Sequence, residues 1–409
     1  MDKKKEKINN KFRHKNKIIT GEIYNFANSL FIMFIPFNKP YLPLSSMKTI
    51  MASALSGTIA GNGRFTKKCH RFFEDRFGFG KVLLTTSCTD ALEMASLLCR
   101  IEPGDEVILP SFTFMSTANP FLLRGANLVF ADTLPDVPNI DPEEIEKLVT
   151  PRSKVIVVVH YGGFACDMDR IMEIAQRHHL WVVEDAAHAV DSYYRGKPLG
   201  SIGNFGAFSF HETKNIISGE GGLLIINDEN QRQRAEIIWE KGTNRASFYR
   251  GEIDKYGWVD LGSSYLPSDT IAAFLWTQLN HFNRIQNRRK KIWWLYYELL
   301  RPLEDQGYLK CPVIPDYATV NGNLFYFTVS SLEVRDCLLK HLKNNGIQAV
   351  FHYLPLHSSA FFKNKYTGPD LPNTNRFSNC IIRLPFFYSL RNRQMKFVVN
   401  KINDFFLTR

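Results

Sequence analysis

Short apolar runs alternate with longer amphipathic stretches through the first half of the chain. The apolar runs are residues 81–86, 106–110, 127–132, 154–160 and 180–185. Between them, residues 89–100 and 167–179 space their apolar positions as helices do. Short apolar runs bounded by turn residues are typical of strands buried in a parallel sheet. Strands that alternate with helices predict an α/β fold with a mostly parallel sheet.

The second half of the chain contains a long helical stretch and then a smaller set of elements. Residues 219–227 predict one more strand, 229–241 a helix, and 268–303 a long helix. The elements predicted beyond it are strand 324–330, helix 333–345, strand 348–353 and helix 392–406. We therefore predict three parts, namely an N-terminal extension (1–32), a large domain (33–285) and a small C-terminal α/β domain (286–409).

Two of the apolar runs end in side chains that can do chemistry. The run at 182–183 leads to Glu184 and Asp185, and the run at 206–210 leads through His211 to Lys214. Since ligands of open α/β sheets bind beyond the carboxyl ends of the strands, Asp185 and Lys214 would face one crevice. Such a pair suits pyridoxal phosphate, whose aldehyde needs an amine and whose pyridine nitrogen needs a carboxylate. The alternative is a solvated lysine and an aspartate that caps a helix.

A third feature is the start of the helix predicted at 89–100. Ser87, Cys88 and Thr89 lie there, directly after a predicted strand. The free N–H groups and the positive end of a helix favour a phosphate at this position, although an ordinary cap has the same residues. The glycine-rich residues 56–63 do not follow an apolar strand, so they predict a turn before a helix at 65–77 and not a dinucleotide site.

Composition restricts the class of protein. The chain has 409 residues, of which 44% are hydrophobic and 22% charged, as in ordinary globular proteins. The net charge is +11, but residues 1–17 hold eight lysines and arginines and two acidic residues, which account for +6 of it. A nucleic-acid-binding or regulatory protein would therefore depend on this extension alone, and we expect no nucleic-acid partner. The patchy apolar stretch at 26–34 is too short for stable membrane insertion.

The seven cysteines indicate the compartment. Their number is odd and they include no Cys-x-x-Cys pair, which argues against a disulfide framework and a zinc site. We expect no metal, and a reducing cytoplasmic location.

Seven blocks give the chain a resemblance to a known family. Two of them read Ser-Phe-His-Glu-Thr-Lys-Asn at 209–215 and Gly-Ser-Ser-Tyr at 262–265. The others are residues 84–89, 110–119, 184–187, 241–245 and 351–357. On these blocks the chain resembles the DegT/DnrJ/EryC1/StrS sugar aminotransferases, from about residue 34 to the C-terminus. The resemblance implies the pyridoxal-phosphate-dependent transferase fold of type I, with the cofactor in the large domain and a homodimer whose active sites lie at the interface.

The resemblance also implies roles for individual residues. Lys214 and Asp185 would be catalytic and would hold the cofactor. The other cofactor-binding residues would be His188, Cys88, Thr89, Phe114, Ser209 and Ser264. His188 stands where the nearest members carry glutamine, and Ser264 where many carry an asparagine that reaches the partner subunit's cofactor. The substrate-binding residues would be Tyr353, His357 and Arg245.

The reaction that the resemblance implies is a transamination. The amino donor is L-glutamate, released as 2-oxoglutarate, and the acceptor is the C4 ketone of dTDP-4-dehydro-6-deoxy-D-glucose. The product, dTDP-4-amino-4,6-dideoxy-D-galactose, would serve a surface polysaccharide such as O antigen or enterobacterial common antigen. Amination at C3, or of a UDP-linked C4 ketone, remains open. A dehydratase of the same family is disfavoured because Lys214 is present.

Overall fold

A seven-stranded sheet lies at the centre of the part of the chain before residue 280. The structure is a computed structural model that describes residues 34–407, so the predicted extension 1–32 lies outside the described residues. The strands within residues 34–407 are β1 (Val82–Thr85), β2 (Glu106–Pro110), β3 (Asn127–Ala131), β4 (Ser153–Val159), β5 (Trp181–Asp185), β6 (Tyr193–Tyr194), β7 (Lys197–Pro198), β8 (Phe205–Ser209), β9 (Gly222–Ile226), β10 (Tyr326–Thr328) and β11 (Ile381–Arg383).

The large sheet has the order β1-β9-β8-β5-β4-β2-β3. Strands β8, β5, β4, β2 and β3 are parallel neighbours, and β9 is antiparallel to both β1 and β8. The prediction of an α/β fold with a mostly parallel sheet is therefore confirmed. Because β5 and β8 are parallel neighbours, their carboxyl ends lie side by side at one edge of the sheet.

Helices cover the sheet and build the C-terminal part. They are α1 (Ser45–Leu55), α2 (Arg64–Phe77), α3 (Cys88–Leu98), α4 (Asn119–Leu122), α5 (Pro142–Leu148), α6 (Met168–His178), α7 (Arg232–Trp239), α8 (Arg245–Tyr249), α9 (Asp269–Asn280), α10 (Phe282–Asp305), α11 (Leu332–Asn344), α12 (Pro372–Cys380) and α13 (Asn392–Leu407). Short 3₁₀ turns occupy Met115–Thr117, Tyr161–Gly163 and Glu229–Gln231.

The two faces of the sheet contribute to two separate apolar cores. Ile156 and Phe208 point into the core that also contains Phe73 of α2, whereas Val157 and Ala207 point into the core beneath α3. Neighbouring residues of a strand face opposite sides of a sheet, so apolar runs without polar interruption are what a sheet covered on both faces requires.

A third core belongs mainly to the C-terminal part. It combines α10, α11 and α13 with β10 and β11, and Phe112 and Tyr161 from the loops after β2 and β4 join it. Helix α10 takes part in two cores, because Phe282 and Ile285 pack with the sheet while Ile292 and later residues pack here. The division into domains at residues 285 and 286 stays a prediction.

Two predicted elements differ from the structure. The continuous helix 268–303 is two helices, because the backbone at His281 turns (φ −103°, ψ 9°) and its N–H donates to the carbonyl of Gln278 at 2.9 Å. The strand 348–353 is only a bridge between Val350 and Arg383. After this bridge the chain leaves β11 and returns to the large sheet, where the N–H of Leu356 donates to the carbonyl of Ser111 at 2.9 Å.

Candidate active site

Asp185 is the last residue of β5 and is buried, with 6% of its surface exposed. Its Oδ2 accepts a hydrogen bond from the Thr117 hydroxyl at 2.6 Å, and its Oδ1 accepts one from the N–H of Ala187 at 3.1 Å. The Thr117 hydroxyl also lies 2.8 Å from that of Thr113. A buried carboxylate held by two donors keeps a fixed orientation, which a group that must face one ring nitrogen requires.

Glu184, the preceding residue, points to the other face of β5. Its carboxylate accepts from the N–H groups of Gly200, Ile202 and Gly203, each at 2.7 Å, and lies 3.0 Å from His160 Nε2. Because the N–H of Cys166 donates to His160 Nδ1 at 3.1 Å, the proton of this imidazole is on Nε2 and is donated to Glu184. Asp185 therefore faces the site, and Glu184 anchors the strand.

Lys214 follows β8 in a tight turn. Its N–H donates to the carbonyl of His211 at 2.9 Å, and its side chain is half-buried. Burial lowers the pKa of Lys214 to about 8, an effect to which the Arg383 charge adds and which Cys88 and Asp185 oppose. The parallel strands β5 and β8 thus bring Asp185 and Lys214 into one site, as the sequence predicts.

His188 and Tyr353 line the same site. His188 Nδ1 accepts from the N–H of Gly162 at 3.2 Å, so its Nε2 carries the proton, and this atom lies 3.5 Å from the Tyr353 hydroxyl. Burial keeps the pKa of His188 well below its usual value, and the charges of Lys214 and Arg383 act in the same direction. His188 is therefore a neutral hydrogen-bond donor at neutral pH.

Cys88 and Thr89 form the first turn of α3, which Ser87 caps by accepting from the N–H of Asp90 at 3.0 Å. The Thr89 hydroxyl bonds Ser116 at 2.9 Å. Gly222, at the start of β9, approaches this turn so closely that a β-carbon would lie 2.5 Å from the nitrogen of Cys88. Only glycine can fill that position, and its small size leaves the N–H groups of the helix start accessible.

Phe114 lies just beyond the carboxyl end of β2, and Ser209 lies at the carboxyl end of β8. Phe114 follows β2, is 48% exposed, and its ring centroid lies 5.8 Å from that of Tyr353. Ser209 is the buried last residue of β8, and its hydroxyl accepts from the N–H of His211 at 3.4 Å. A half-exposed aromatic ring beside this crevice offers a surface on which a planar ligand can stack.

Arg245 and Ser264 belong to a separate group around the buried Glu240. Arg245 forms an ion pair with Glu240 at 2.7 Å, and Asn62 of the glycine-rich segment donates to the same carboxylate at 3.4 Å. Ser264 is exposed, and its backbone forms an isolated antiparallel β-bridge with that of Glu240. The next residue, Tyr265, accepts from the N–H of Thr86 at 3.0 Å, which places this group beside the start of α3.

His357 is held against the loop after β2. Its Nδ1 lies 2.8 Å from the Ser111 hydroxyl, and its own N–H donates to that oxygen at 3.0 Å. Burial lowers its pKa. His357 and Tyr353 thus frame the Ser111–Phe114 loop.

Two residues of the site are not among those predicted from the sequence. The hydroxyl of Thr117 orients Asp185. In the sequence, only its spacing of four residues from Thr113, in the segment after β2, could have indicated this role. Arg383 is a buried cation at the end of β11. In the sequence, Arg383 is the one charged residue of the apolar run 380–387. Because a charge in a buried strand is costly without a partner or a function, this position could have indicated a site residue.

The residues present fit pyridoxal phosphate. The cofactor needs an amine, a fixed carboxylate and a phosphate site, and Lys214, Asp185 and the first turn of α3 would supply them. The close approach of Gly222 supports the third assignment, because it keeps side chains away from the N–H groups of that turn. Within residues 34–407, no helix is long and apolar enough to cross a membrane, and no group of three histidine, cysteine or acidic residues could hold a metal ion.

Comparisons with known proteins agree with this arrangement. The model of the DegT/DnrJ/EryC1/StrS aminotransferase family matches residues 45–403. The chain is 31% identical to the spore coat polysaccharide biosynthesis protein SpsC of Bacillus subtilis (strain 168), over 91% of this chain and 97% of that protein.

Solved structures give the same result. The aminotransferase TlmJ from Streptoalloteichus hindustanus is 27% identical with a TM-score of 0.83, and the match covers 92% of this chain and 99% of that one. The putative sugar aminotransferase Spr1654 from Streptococcus pneumoniae, in its PLP form, is 25% identical with a TM-score of 0.84, over 92% and 99% of the two chains. Its PMP form has a TM-score of 0.85, at 25% identity over 91% and 99%.

Proposed function

Because the chain belongs to the DegT/DnrJ/EryC1/StrS aminotransferase family, we propose that it is a dTDP-4-amino-4,6-dideoxygalactose transaminase. It would transfer an amino group from L-glutamate to the C4 ketone of dTDP-4-dehydro-6-deoxy-D-glucose. Family membership confirms the resemblance, the type I fold and the cofactor, pyridoxal phosphate, that the sequence predicts. The observation that supports a working transaminase best is the pair of Lys214 and Asp185 at the carboxyl ends of two adjacent parallel strands.

Lys214 and Asp185 have distinct tasks in this proposal. The bound cofactor supplies an aldehyde for the amino group and an electron sink for the carbon that loses its proton. Lys214 holds the cofactor and moves that proton, and a pKa of about 8 leaves part of its amine neutral near neutral pH. Asp185, oriented by Thr117, keeps the pyridine nitrogen protonated.

The remaining predicted residues complete the cofactor site. The turn of Cys88 and Thr89 and the Ser209 hydroxyl would bind the phosphate, and Phe114 would offer its ring for stacking. The neutral His188 would donate from Nε2 to the phenolic oxygen of the cofactor. This last role needs a proton on Nε2, which the hydrogen bond from Gly162 to Nδ1 supports.

The sugar nucleotide would bind between Tyr353, His357 and Arg245. Tyr353 and His357 come from the 351–357 block, which follows the bridge at Val350. The ion pair with Glu240 holds Arg245 in place, at the side of the site that also contains Ser264. The name of the Bacillus subtilis relative supports a polysaccharide sugar as the acceptor, and another nucleotide-linked keto sugar, aminated at C3 or carrying UDP, is the alternative.

We also propose a homodimer with active sites at the interface. Residues 249–261 expose several large apolar side chains, among them Trp258 (81% exposed) and Tyr249 (72% exposed). Exposed apolar patches of this kind mark protein interfaces. The patch leads directly to the exposed Ser264, which could then reach the partner subunit's cofactor phosphate.

The visible spectrum of the cofactor-loaded protein tests the proposed function. L-glutamate should bleach the band of the lysine-bound cofactor, and dTDP-4-dehydro-6-deoxy-D-glucose should restore it, because the two halves of the reaction convert the cofactor in opposite directions. UDP-linked and 3-keto sugar nucleotides serve as competitors. A band that returns only with one of these competitors would replace the proposed acceptor.

Lys214→Ala provides the matching mutational test. We expect turnover to fall by at least about 10²- to 10⁴-fold, the range for loss of a general base, with an unchanged circular dichroism spectrum. Lys197→Ala, at an exposed position of β7, is the control and should keep full activity. Full activity of the Lys214 variant would reject the proposal.

A further inference from the structure

Four buried side-chain amides lie together beside the turn that carries Lys214. They are Asn215, Gln286, Asn321 and Asn323, and each is at most 5% exposed. They come from three places along the chain, namely the residue after Lys214, the first half of α10 and the segment before β10. A buried amide is costly unless it is hydrogen-bonded, so four of them at one place need partners.

Asn215 is at the centre of this amide cluster. Its Oδ1 accepts a hydrogen bond from the Asn323 amide at 2.8 Å, and its Nδ2 donates to Gln286 Oε1 at 3.0 Å and to the carbonyl of Asn321 at 3.1 Å. A backbone carbonyl can only accept, which fixes the orientation of the Asn215 amide. The carboxylate of an aspartate could not donate, and a leucine could make none of these bonds.

Asn321 connects the cluster to His188. Its Nδ2 donates to the carbonyl of His188 at 2.7 Å. Gly163, in the loop after β4, approaches its Oδ1 so closely that any β-carbon there would overlap it. The residue after Lys214 and the backbone of His188 are therefore both bound to the same short segment, 321–323.

The segment 321–323 is in turn fixed by α10. Arg289 donates to the carbonyls of Gly322 and Asn323 at 2.9 and 2.7 Å. The backbone of Arg289 also lies so close to Gly322 that a β-carbon there would overlap it. Because α10 is a helix of 24 residues that packs in two cores, the segment gives the lysine turn a fixed point outside the turn itself.

Other contacts hold the lysine turn with less directional control. Ile216 packs in the core with the sheet, and apolar contacts have no preferred direction. The N–H of Lys214 bonds within the turn, and Asn38 donates to the carbonyl of Glu212 at 3.0 Å at the surface. The bonds of Asn215 are buried and directional, so they determine how the turn lies relative to the site.

We propose that Asn215 is a positioning residue for Lys214, through which the segment 321–323 sets the direction of the lysine turn. The inference deepens the proposed function and rests on it. Asn215 acts through the backbone that it shares with Lys214 and not by contact with a ligand. Proton transfer by the lysine amine needs an approach within hydrogen-bond reach, and a misplacement of about 1 Å can cost about 100-fold in rate.

Asn215→Ala tests this role first in the protein without cofactor. Loss of three buried hydrogen bonds should free the turn, so amide hydrogen exchange of a peptide that spans residues 211–218 should become about 10-fold faster. Asn227→Ala is the matched control. Asn227 also donates to two backbone carbonyls, those of Gly200 and Gly203 at 2.9 and 2.8 Å, but it does so at the amino end of β8. This variant should leave the exchange of the peptide unchanged.

The half-reaction with L-glutamate gives a second measurement. In the cofactor-loaded Asn215→Ala variant, the rate at which saturating L-glutamate bleaches the visible band should fall about 100-fold. The L-glutamate concentration for half the maximal rate should stay within about twofold of the wild type, because binding is not affected. Asn323→Ala removes one bond to Asn215 without changing the turn. It should show the same pattern with a smaller loss, and it replaces Asn215→Ala if that protein does not fold.

A double-mutant cycle separates the placement of the lysine from general damage to the site. If Asn215 acts only through Lys214, adding Asn215→Ala to Lys214→Ala should change the residual single-turnover rate by less than about twofold. A further large loss in the double variant would assign Asn215 to the structure of the site as a whole and would overturn the positioning role.

The outcomes separate the inference from the proposed function. Unchanged exchange of the 211–218 peptide, or an unchanged bleaching rate, in Asn215→Ala would overturn the role of Asn215. A loss confined to the L-glutamate concentration that the variant needs would also overturn it. A wild-type spectrum that L-glutamate does not change would reject the proposed donor. The exchange measurement needs neither cofactor nor donor, so it would still decide whether Asn215 holds the turn.

Discussion

At the residue scale, burial makes Lys214 a weaker base than a lysine in water. Its pKa is lowered from 10.5 to about 8, so the neutral amine forms at a pH more than two units lower. Only the neutral amine can attack an aldehyde. The turn after β8 and the surrounding side chains thus prepare this residue for its proposed covalent role before any ligand binds.

Cofactor uptake by the apoprotein should therefore depend on pH with a midpoint near that value. We expect the rate at which the visible band forms after mixing with pyridoxal phosphate to rise through about pH 8 and to level off above it, since the folded-state pKa is depressed. Stopped-flow absorbance measures this rate. A midpoint near 10.5, that of an ordinary lysine, would contradict the effect of burial.

The same experiment on Arg383→Gln should shift the midpoint pH in a predictable direction. The Arg383 charge disfavours the protonated amine, so its removal should raise the midpoint. Arg335→Gln should leave it in place, since Arg335 is paired with Asp336.

Sequence patterns identify candidate reactive residues better than they identify the residues that position them. Asp185 and Lys214 could be predicted as candidates because Asp185 ends an apolar run and Lys214 follows another one closely. Thr117 could not be assigned to Asp185, because the contact spans 68 residues and depends on how β2 lies relative to β5. Arg383 acts across a still longer separation, since β11 follows the large sheet by more than a hundred residues.

At the element scale, Glu184 ties β5 to the turn that precedes β8. Four donors meet its carboxylate: His160 and three backbone N–H groups. Because Asp185 is the next residue, this anchor also fixes the carboxylate for which we propose a catalytic role.

Glu184→Gln should destabilise the fold. An amide nitrogen cannot accept a hydrogen bond, so at least one buried donor loses its acceptor, at a cost of about 2–4 kcal/mol. Urea denaturation of the wild type and the variant measures this difference. Glu143→Gln, whose side chain is 64% exposed, is the control and should change the free energy of unfolding by less than about 0.5 kcal/mol. Equal stability of the wild type and Glu184→Gln would show that the buried carboxylate is dispensable.

The strands of the sheet were the most predictable elements, and the connections were the least. Continuous apolar runs such as β4 and β5 follow directly from burial on both faces. The break at His281 has no proline or glycine to mark it. It follows from tertiary packing, which directs Phe282 into the core with Phe73 and Phe77. The segment 348–353 alternates like a strand but pairs only at Val350, because its next residues must cross to Ser111.

At the scale of the whole molecule, the apolar patch at 249–261 should decide the oligomeric state. We expect the wild type to sediment as a dimer and Trp258→Glu as a monomer, because a charge in an apolar interface is left without a partner. Phe361→Glu, which changes a ring that is 66% exposed elsewhere, should remain a dimer. Sedimentation velocity distinguishes these states, and a wild-type monomer would refute the shared active site.

Helix α10 has a consequence for how the molecule comes apart. One rigid element of 24 residues packs its first turns into the core with the sheet and its later turns into the C-terminal core. Phe112 and Tyr161, which belong to the sheet side, add to the second core. Unfolding of either core would remove side chains that pack in the other core. We therefore expect residues 34–407 to unfold in a single cooperative step on heating, with one calorimetric peak.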